Sequence, residues 1–181
     1  MPRAIVIGVM GAGHHAHPFD LDTARAVGHF VAGKHWVLLT GGRDAGVMAE
    51  ATRSAASNQG LTLGFLPGDS KSGAAPDLAL ALPTGLGHAR NAINVLASDV
   101  VVVCGQHMGP GTLSELALAM KSGKPLIVIA SHTQAMAFLE HFGYGPMFVT
   151  PSVDLALKHL EVEVEKITAD KGFLPISIPH P

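Results

Sequence analysis

The stretch from Asp99 to Lys121 places the tightest limits on what this chain can become. It reads D-V-V-V-V-C-G-Q-H-M-G-P-G-T-L-S-E-L-A-L-A-M-K. The run Val100 to Val103 is apolar without a break. A strand buried on both faces has that character, and such strands belong to parallel sheets covered by helices. Gly105, Gly109 and Gly111 follow, and an alanine- and leucine-rich helical pattern starts near Thr112. A buried strand, a glycine-rich turn and a helix N-terminus together form a ready anion site. First-turn N–H groups have no intrahelical partners, and glycine lets a ligand approach the backbone. On this reading Glu115 falls in the first turn, where the helix dipole favours a carboxylate whatever its role. The same residues also suit an ordinary βα turn that uses glycine only for its geometry.

The pattern recurs along the chain. Arg3 to Val9 reads as the first strand and leads into G-V-M-G-A-G-H-H-A-H-P, residues 8 to 18. Gly8, Gly11 and Gly13 are spaced G-x-x-G-x-G, not the G-x-G-x-x-G of a dinucleotide site, so a standard NAD site is not expected. A ligand-facing loop built from Gly11, Gly13 and His14 remains open. Asp20 or Asp22 is the expected cap of the next helix, with Ala24, Val27, Phe30 and Val31 on one face. His14, His15 and His17 can be read as metal ligands, as ring donors to an anion, or as a solvated loop. A firm metal site would need ligands from elsewhere, and none is assigned.

Trp36 to Thr40 reads as the second strand, followed by a second glycine-rich turn, Gly41-Gly42-Arg43-Asp44-Ala45-Gly46. A helix from Gly46 to Asn58 should stop at Asn58-Gln59-Gly60. Arg43 suits a phosphate or oxyanion as well as it suits solvent. Further strands are expected at Leu61 to Leu66 and Leu78 to Leu82, around a polar loop at Pro67 to Asp77. Ala89 to Ala97 should be a helix carrying Arg90, Asn91 and Asn94. A cation near a helix start opposes the dipole, which marks Arg90 as a ligand-facing candidate. Leu126 to Ala130 and Met147 to Val149 read as strands, and Thr133 to His141 and Leu155 to Ile167 as helices. A turn is expected at residues 143–146.

Apolar strands alternating with helices imply an α/β fold: a three-layer, Rossmann-like, doubly wound and mostly parallel sheet. One domain over residues 1–169 is expected, with an irregular tail over residues 170–181. Ligands in such sheets bind beyond the C-terminal strand ends. The turns at residues 8–17, 41–46, 84–90 and 105–112 all fall there, so four glycine-bearing loops can converge on one cleft. The chain is 48% hydrophobic and only 14% charged, which suggests extra buried surface such as an oligomer interface. A net charge of -2 argues against broad affinity for nucleic acid or membranes. The single cysteine, Cys104, permits no intrachain disulfide and points to a cytosolic-type setting. The N-terminus lacks a signal-type segment, and no apolar run approaches the roughly 20 residues that a membrane span needs.

Three motifs carry a family resemblance. G-G-R-D-A-G-V-M (41–48), G-H-A-R-N (87–91) and G-P-G-T-L-S-E (109–115) stand in an order that resembles the Rossmann-like "lysine decarboxylase-like" superfamily. That superfamily includes the LONELY GUY cytokinin-activating phosphoribohydrolases and the molybdenum cofactor carrier proteins. The resemblance covers roughly residues 3 to 165. The hydrolases carry P-G-G-x-G-T-x-x-E and an Arg-Lys pair, and cleave a nucleoside 5′-monophosphate to base and ribose phosphate. Here Arg90 and Glu115 match, as do Gly109, Gly111 and Thr112. His107 and Met108 stand in place of Pro-Gly, and Asn91 in place of the lysine. No pyridoxal-phosphate motif supports the decarboxylase label.

The pattern T-G-G…G-V-M-A-E-A with R-N and G-T-L-S-E is closer to the carrier branch. What this resemblance implies is a protein that binds, protects and delivers the molybdenum cofactor, a phosphorylated pterin dithiolene, without turnover. It also implies affinity for molybdate-like anions, molybdoenzymes as recipients, and a homodimer or homotetramer; the cytoplasmic location expected from the single cysteine suits such a role. The cofactor-binding candidates are Gly11, Gly13, His14, Gly41, Gly42, Arg43, Gly46, Arg90, Asn91, His107, Gly109, Gly111, Thr112 and Glu115. The alternative is phosphoribohydrolase activity, with Arg90 holding the substrate phosphate and Glu115 acting as acid/base or stabilising charge on the ribose.

Overall fold

The apolar runs become strands of one sheet. A computed structural model describes residues 4–131, 141 and 147–171. In chain order the elements are β1 (Val6–Gly11), α1 (Pro18–Gly33), β2 (Val37–Thr40), α2 (Gly46–Ser57), β3 (Thr62–Leu66) and β4 (Leu80–Pro83). A single 3₁₀ turn (Gly87–Ala89) leads into α3 (Arg90–Ala97). There follow β5 (Val100–Cys104), α4 (Pro110–Lys121), β6 (Leu126–Ile129), β7 (Met147–Thr150) and α5 (Val153–Lys171). The seven strands lie in the order β4-β3-β2-β1-β5-β6-β7, and every neighbouring pair is parallel. The direction of winding therefore reverses between β1 and β5, where Gly11 pairs with Cys104. In a doubly wound sheet that reversal opens a crevice beyond the strand ends.

The valine run now has a physical explanation. Successive side chains in a strand point to opposite faces. Val100, Val102 and Cys104 enter the core beneath α1, α2 and α5, together with Ile7, Val9, Val27 and Leu160. Val101 and Val103 enter the core beneath α3 and α4, with Met10, Val95, Leu116 and Val128. Both faces are covered, so neither alternate position can be polar. Burying each valine contributes about 1.5–3 kcal/mol.

Several boundaries differ from those expected. The first strand begins at Val6 and runs on to Gly11, so Met10 and Gly11 belong to the strand as well as Gly8. A Cβ at Gly8 would stand 2.1 Å from Ser98 Oγ, so this glycine serves packing. The cap of α1 is His17, not an aspartate: its Nδ1 accepts the Phe19 N–H at 3.1 Å, and Pro18 takes the first helical position. Helix α4 starts at Pro110, which places Glu115 in its second turn and not its first. The dipole argument for that carboxylate is weakened accordingly. The ambiguous V-E-V-E segment is helical, within α5. Apart from His141, the helix expected over residues 133–141 lies outside the described residues, as do the 143–146 turn and residues 172–181. Among the described residues, no helix is long and apolar enough to cross a membrane.

Candidate functional site

A cleft of about 960 Å³ opens beyond the C-terminal ends of β1 and β5. The buried strand end at Val9 and Met10 closes the bottom of the cleft, and Met48 and the half-buried Leu118 supply apolar side chains to its lining. Around it stand Gly11, Gly13, His14, Gly41, Arg43, Arg90, Asn91, His107, Gly109, Gly111, Thr112 and Glu115. Four separate loops thus meet at one site. Gly42 and Gly46 are absent from the lining; they shape the turn behind it. Both have positive φ, +73° and +52°, the region glycine tolerates best. Gly46 lies directly under the carbonyls of Ala12 and Gly13.

At the α4 end, Gly109 is an N-cap without a side-chain hydrogen bond, and Pro110 fills the first helical position. The N–H groups of Gly111 and Thr112 have no intrahelical acceptor. Cβ atoms built on Gly109 and Gly111 would meet nothing within 4 Å, so this helix end faces open space. Asn91 fastens α3 to it, donating from Nδ2 to Ser114 Oγ at 2.8 Å. Ser114 Oγ in turn donates to the Gly111 carbonyl at 2.6 Å.

Asp20 holds the loop that precedes α4. Its side chain is fully buried, and its two carboxylate oxygens accept the N–H groups of Gln106 at 2.8 Å and His107 at 2.9 Å. Gln106 extends the tether through Oε1, which accepts the Ser131 N–H at 3.1 Å. Sequence reasoning treated Asp20 only as a possible cap. A signal was present: Asp20 lies four and seven residues before Ala24 and Val27, on the buried stripe of α1. An acid on a buried stripe needs a partner.

Arg90 and Glu115 face each other inside the cleft. Arg90 is 8% exposed and Glu115 6%, and Arg90 Nη1 lies 3.7 Å from Glu115 Oε1, too far for a hydrogen bond. Arg90 Nε is buried and finds no acceptor among the described residues. Burial pushes the guanidinium down from its ordinary value; Glu115 opposes that shift and Arg43 adds to it. Burial likewise pushes the Glu115 carboxyl up, against the Asn94 hydrogen bond and the Arg90 charge. For both groups the loss of water outweighs the partner, so the pair is incompletely compensated. An anionic ligand would supply Arg90 with acceptors.

The arginine is placed by a glycine. A Cβ at Gly41 would fall 2.3 Å from Arg90 Nη1 and 2.6 Å from Nη2. The guanidinium is the far end of a flexible side chain and can move aside. Gly41→Ala is therefore expected to leave the fold intact but displace Arg90. Oxyanion binding, read by titration with phosphate and molybdate, should weaken about 10-fold, the loss of one charge-assisted hydrogen bond. Unchanged affinity would remove Arg90 from the candidate anion-binding residues.

The other end of the cleft carries His14, whose Nε2 lies 3.4 Å from Arg43 Nη2; both are exposed. His17 is occupied as the α1 cap. Among the described residues, no group of three His, Cys, Asp or Glu side chains is placed to hold a metal ion. Cys104 is buried, and burial pushes its thiol up, which leaves it an inert core residue.

The profile of the SLOG cluster4 family matches residues 4–153. The chain belongs to the SLOG cluster4 family. An uncharacterized protein of Archaeoglobus fulgidus is 41% identical over 126 residues, which is 67% of this chain and 78% of that protein. Two solved structures are similar to this SLOG cluster4 chain over nearly their full length. The molybdenum cofactor binding protein from the phototrophic bacterium Rippkaea orientalis is 40% identical, with a TM-score of 0.85, covering 90% of this chain and 98% of that one. The molybdenum cofactor carrier protein of Chlamydomonas reinhardtii is 38% identical, with a TM-score of 0.83, covering 90% and 99%. The resemblance read from the three ordered motifs is borne out by these relatives, and the expected three-layer parallel fold by the sheet itself.

Proposed function

We propose that this SLOG cluster4 protein binds the molybdenum cofactor in the cleft, shields it from oxidation and hands it to molybdoenzymes, without turnover and in the cytoplasm. The observation that carries the reading is a buried arginine with an unsatisfied Nε, beside an open helix N-terminus in a deep cleft. Similarity to proteins described as binding or carrying this cofactor supports it. The cargo's chemistry suits the walls. The Gly111 and Thr112 N–H groups and Arg90 would take the terminal phosphate. Met48 and Leu118 would lie against the flat pterin, and Arg43 with His14 would take the oxyanionic molybdenum end. A carrier also needs no nucleophile, and Cys104 is out of reach.

The test is a titration of the purified protein with isolated molybdenum cofactor, with AMP as competitor and free adenine monitored. Saturable binding that slows cofactor oxidation, with no adenine released, is the expected result. Adenine release without cofactor binding would overturn the reading in favour of hydrolysis by Arg90 and Glu115.

We also propose a homo-oligomer built on the open side of the sheet. Leu80 and Leu82 of the edge strand β4 are 49% and 41% exposed, and Leu96 of α3 is 61% exposed. Leu80 and Leu82 stand in register with the half-buried Leu63 and Phe65 of β3, which extends one apolar surface across both strands. Stable association typically buries about 800 Å² per partner. Light scattering should therefore give a multiple of the 18.7 kDa chain mass, falling toward one chain in Leu82→Glu. A wild-type monomer at micromolar concentration would remove this proposal.

A further inference from the structure

Glu115 is the one acid among the residues lining a cleft that also holds Arg43, Arg90 and four histidines. Its two oxygens are not equivalent. Oε1 accepts the Asn94 amide at 2.8 Å and is the atom nearer Arg90. Oε2 accepts from no described residue, and Glu115 lines the cleft. Behind it, Asn94 Oδ1 is buried without a partner, so the amide cannot turn to satisfy both groups at once. As a carboxylate, the ionised form, Glu115 repels phosphate and oxyanion ends. It is complementary to a ligand edge that carries two adjacent N–H donors, with Oε2 and the remaining lone pair of Oε1 as acceptors.

We infer that Glu115 is the specificity-determining residue for the ring of the cargo, reading the paired N–H groups of a 2-amino-4-oxopyrimidine edge such as that of a pterin. The inference rests on the cofactor reading above and deepens it. The cationic walls hold the two anionic ends of the ligand, and the single acid fixes which edge of the ring turns inward. Discrimination follows from pairing. An analogue with an acceptor in place of the amino group leaves a carboxylate oxygen facing a carbonyl oxygen, and buried mismatches of that kind are what a binding site rejects most strongly.

The experiment uses two fluorescent probes that differ at one position: 6-hydroxymethylpterin monophosphate and 6-hydroxymethyllumazine monophosphate, in which a 2-oxo group replaces the 2-amino group. Each is titrated into the wild-type protein and into Glu115→Gln near neutral pH, with intact molybdenum cofactor titrated into wild type in parallel. Wild type should prefer the pterin by roughly 10-fold or more. In Glu115→Gln the preference should vanish or reverse, because an amide offers one acceptor and one donor, the complement of the lumazine N3–H and O2. A merely structural role would weaken both probes equally, and that outcome overturns the inference. The wild-type comparison stands even if the variant fails to fold. Cofactor binding without pterin–lumazine discrimination overturns the inference and leaves the carrier reading; no cofactor binding overturns both.

Discussion

Gly46→Ala is expected to lower the melting temperature by about 6–12 °C, the equivalent of about 3 kcal/mol in a chain of this size. Two effects add. Gly46 has φ +52°, and a residue with a Cβ in the left-handed region costs roughly 1–2 kcal/mol. The Cβ would also stand 2.0 Å from the Gly13 carbonyl oxygen and 2.3 Å from that of Ala12. Those are backbone atoms and cannot rotate away as a side chain can. The Ala12 carbonyl already accepts the Val47 N–H at 3.0 Å, so moving it breaks the contact that ties the first glycine loop to the start of α2. The lesion should therefore weaken ligand binding as well as stability. Thermal unfolding followed by circular dichroism reads the first effect, and phosphate titration of the folded variant reads the second. A shift of less than about 2 °C would mean that the two loops are not held against each other at Gly46.

The architecture was legible because its signal is local. Unbroken apolar runs such as Val100 to Val103 cannot be half-exposed strands, and runs alternating with helices have few parallel arrangements available. The cleft was legible for the same reason. Once the sheet is parallel and doubly wound, every turn after a strand lies at the same end, so Gly11, Gly41, Arg90 and Gly109 must meet. What could not be read is what depends on pairing between distant residues. Asp20 acts on Gln106 and His107, 86 and 87 residues away. The helical spacing shows that Asp20 is buried but not what it holds. Gly8 groups by spacing with Gly11 and Gly13, and glycine spacing does not show what a glycine packs against; the contact with Ser98 decides it. The start of α4 at Pro110 was missed by two residues, and with it the turn on which Glu115 lies. Its role now rests on Arg90 and Asn94, supplied by α3.

Gly111→Leu should separate binding from stability more sharply than any other single change. Gly111 lies in the first turn of α4, its φ is not in the left-handed region, and a Cβ there meets nothing within 4 Å. The fold therefore has room for the side chain. Leucine is also a better helix former than glycine by nearly 1 kcal/mol, so the melting temperature should stay level or rise slightly. The added side chain nevertheless projects into the cleft and covers the N–H groups of the first turn, which are the donors assigned to the phosphate. It would fill the proposed anion pocket with a branched hydrocarbon. Cofactor affinity should fall by roughly 100-fold or more, at least about 2.7 kcal/mol. Free phosphate should lose affinity in parallel, because the lesion lies at the phosphate end. Intact binding by a well-folded Gly111→Leu protein would move the phosphate to the other cationic end of the cleft, at Arg43 and His14, and reverse the orientation proposed for the cargo. Binding lost together with a lower melting temperature would instead mean that α4 needs glycine to start at Pro110, so that the loop held by Asp20 and the helix it feeds are one structural unit.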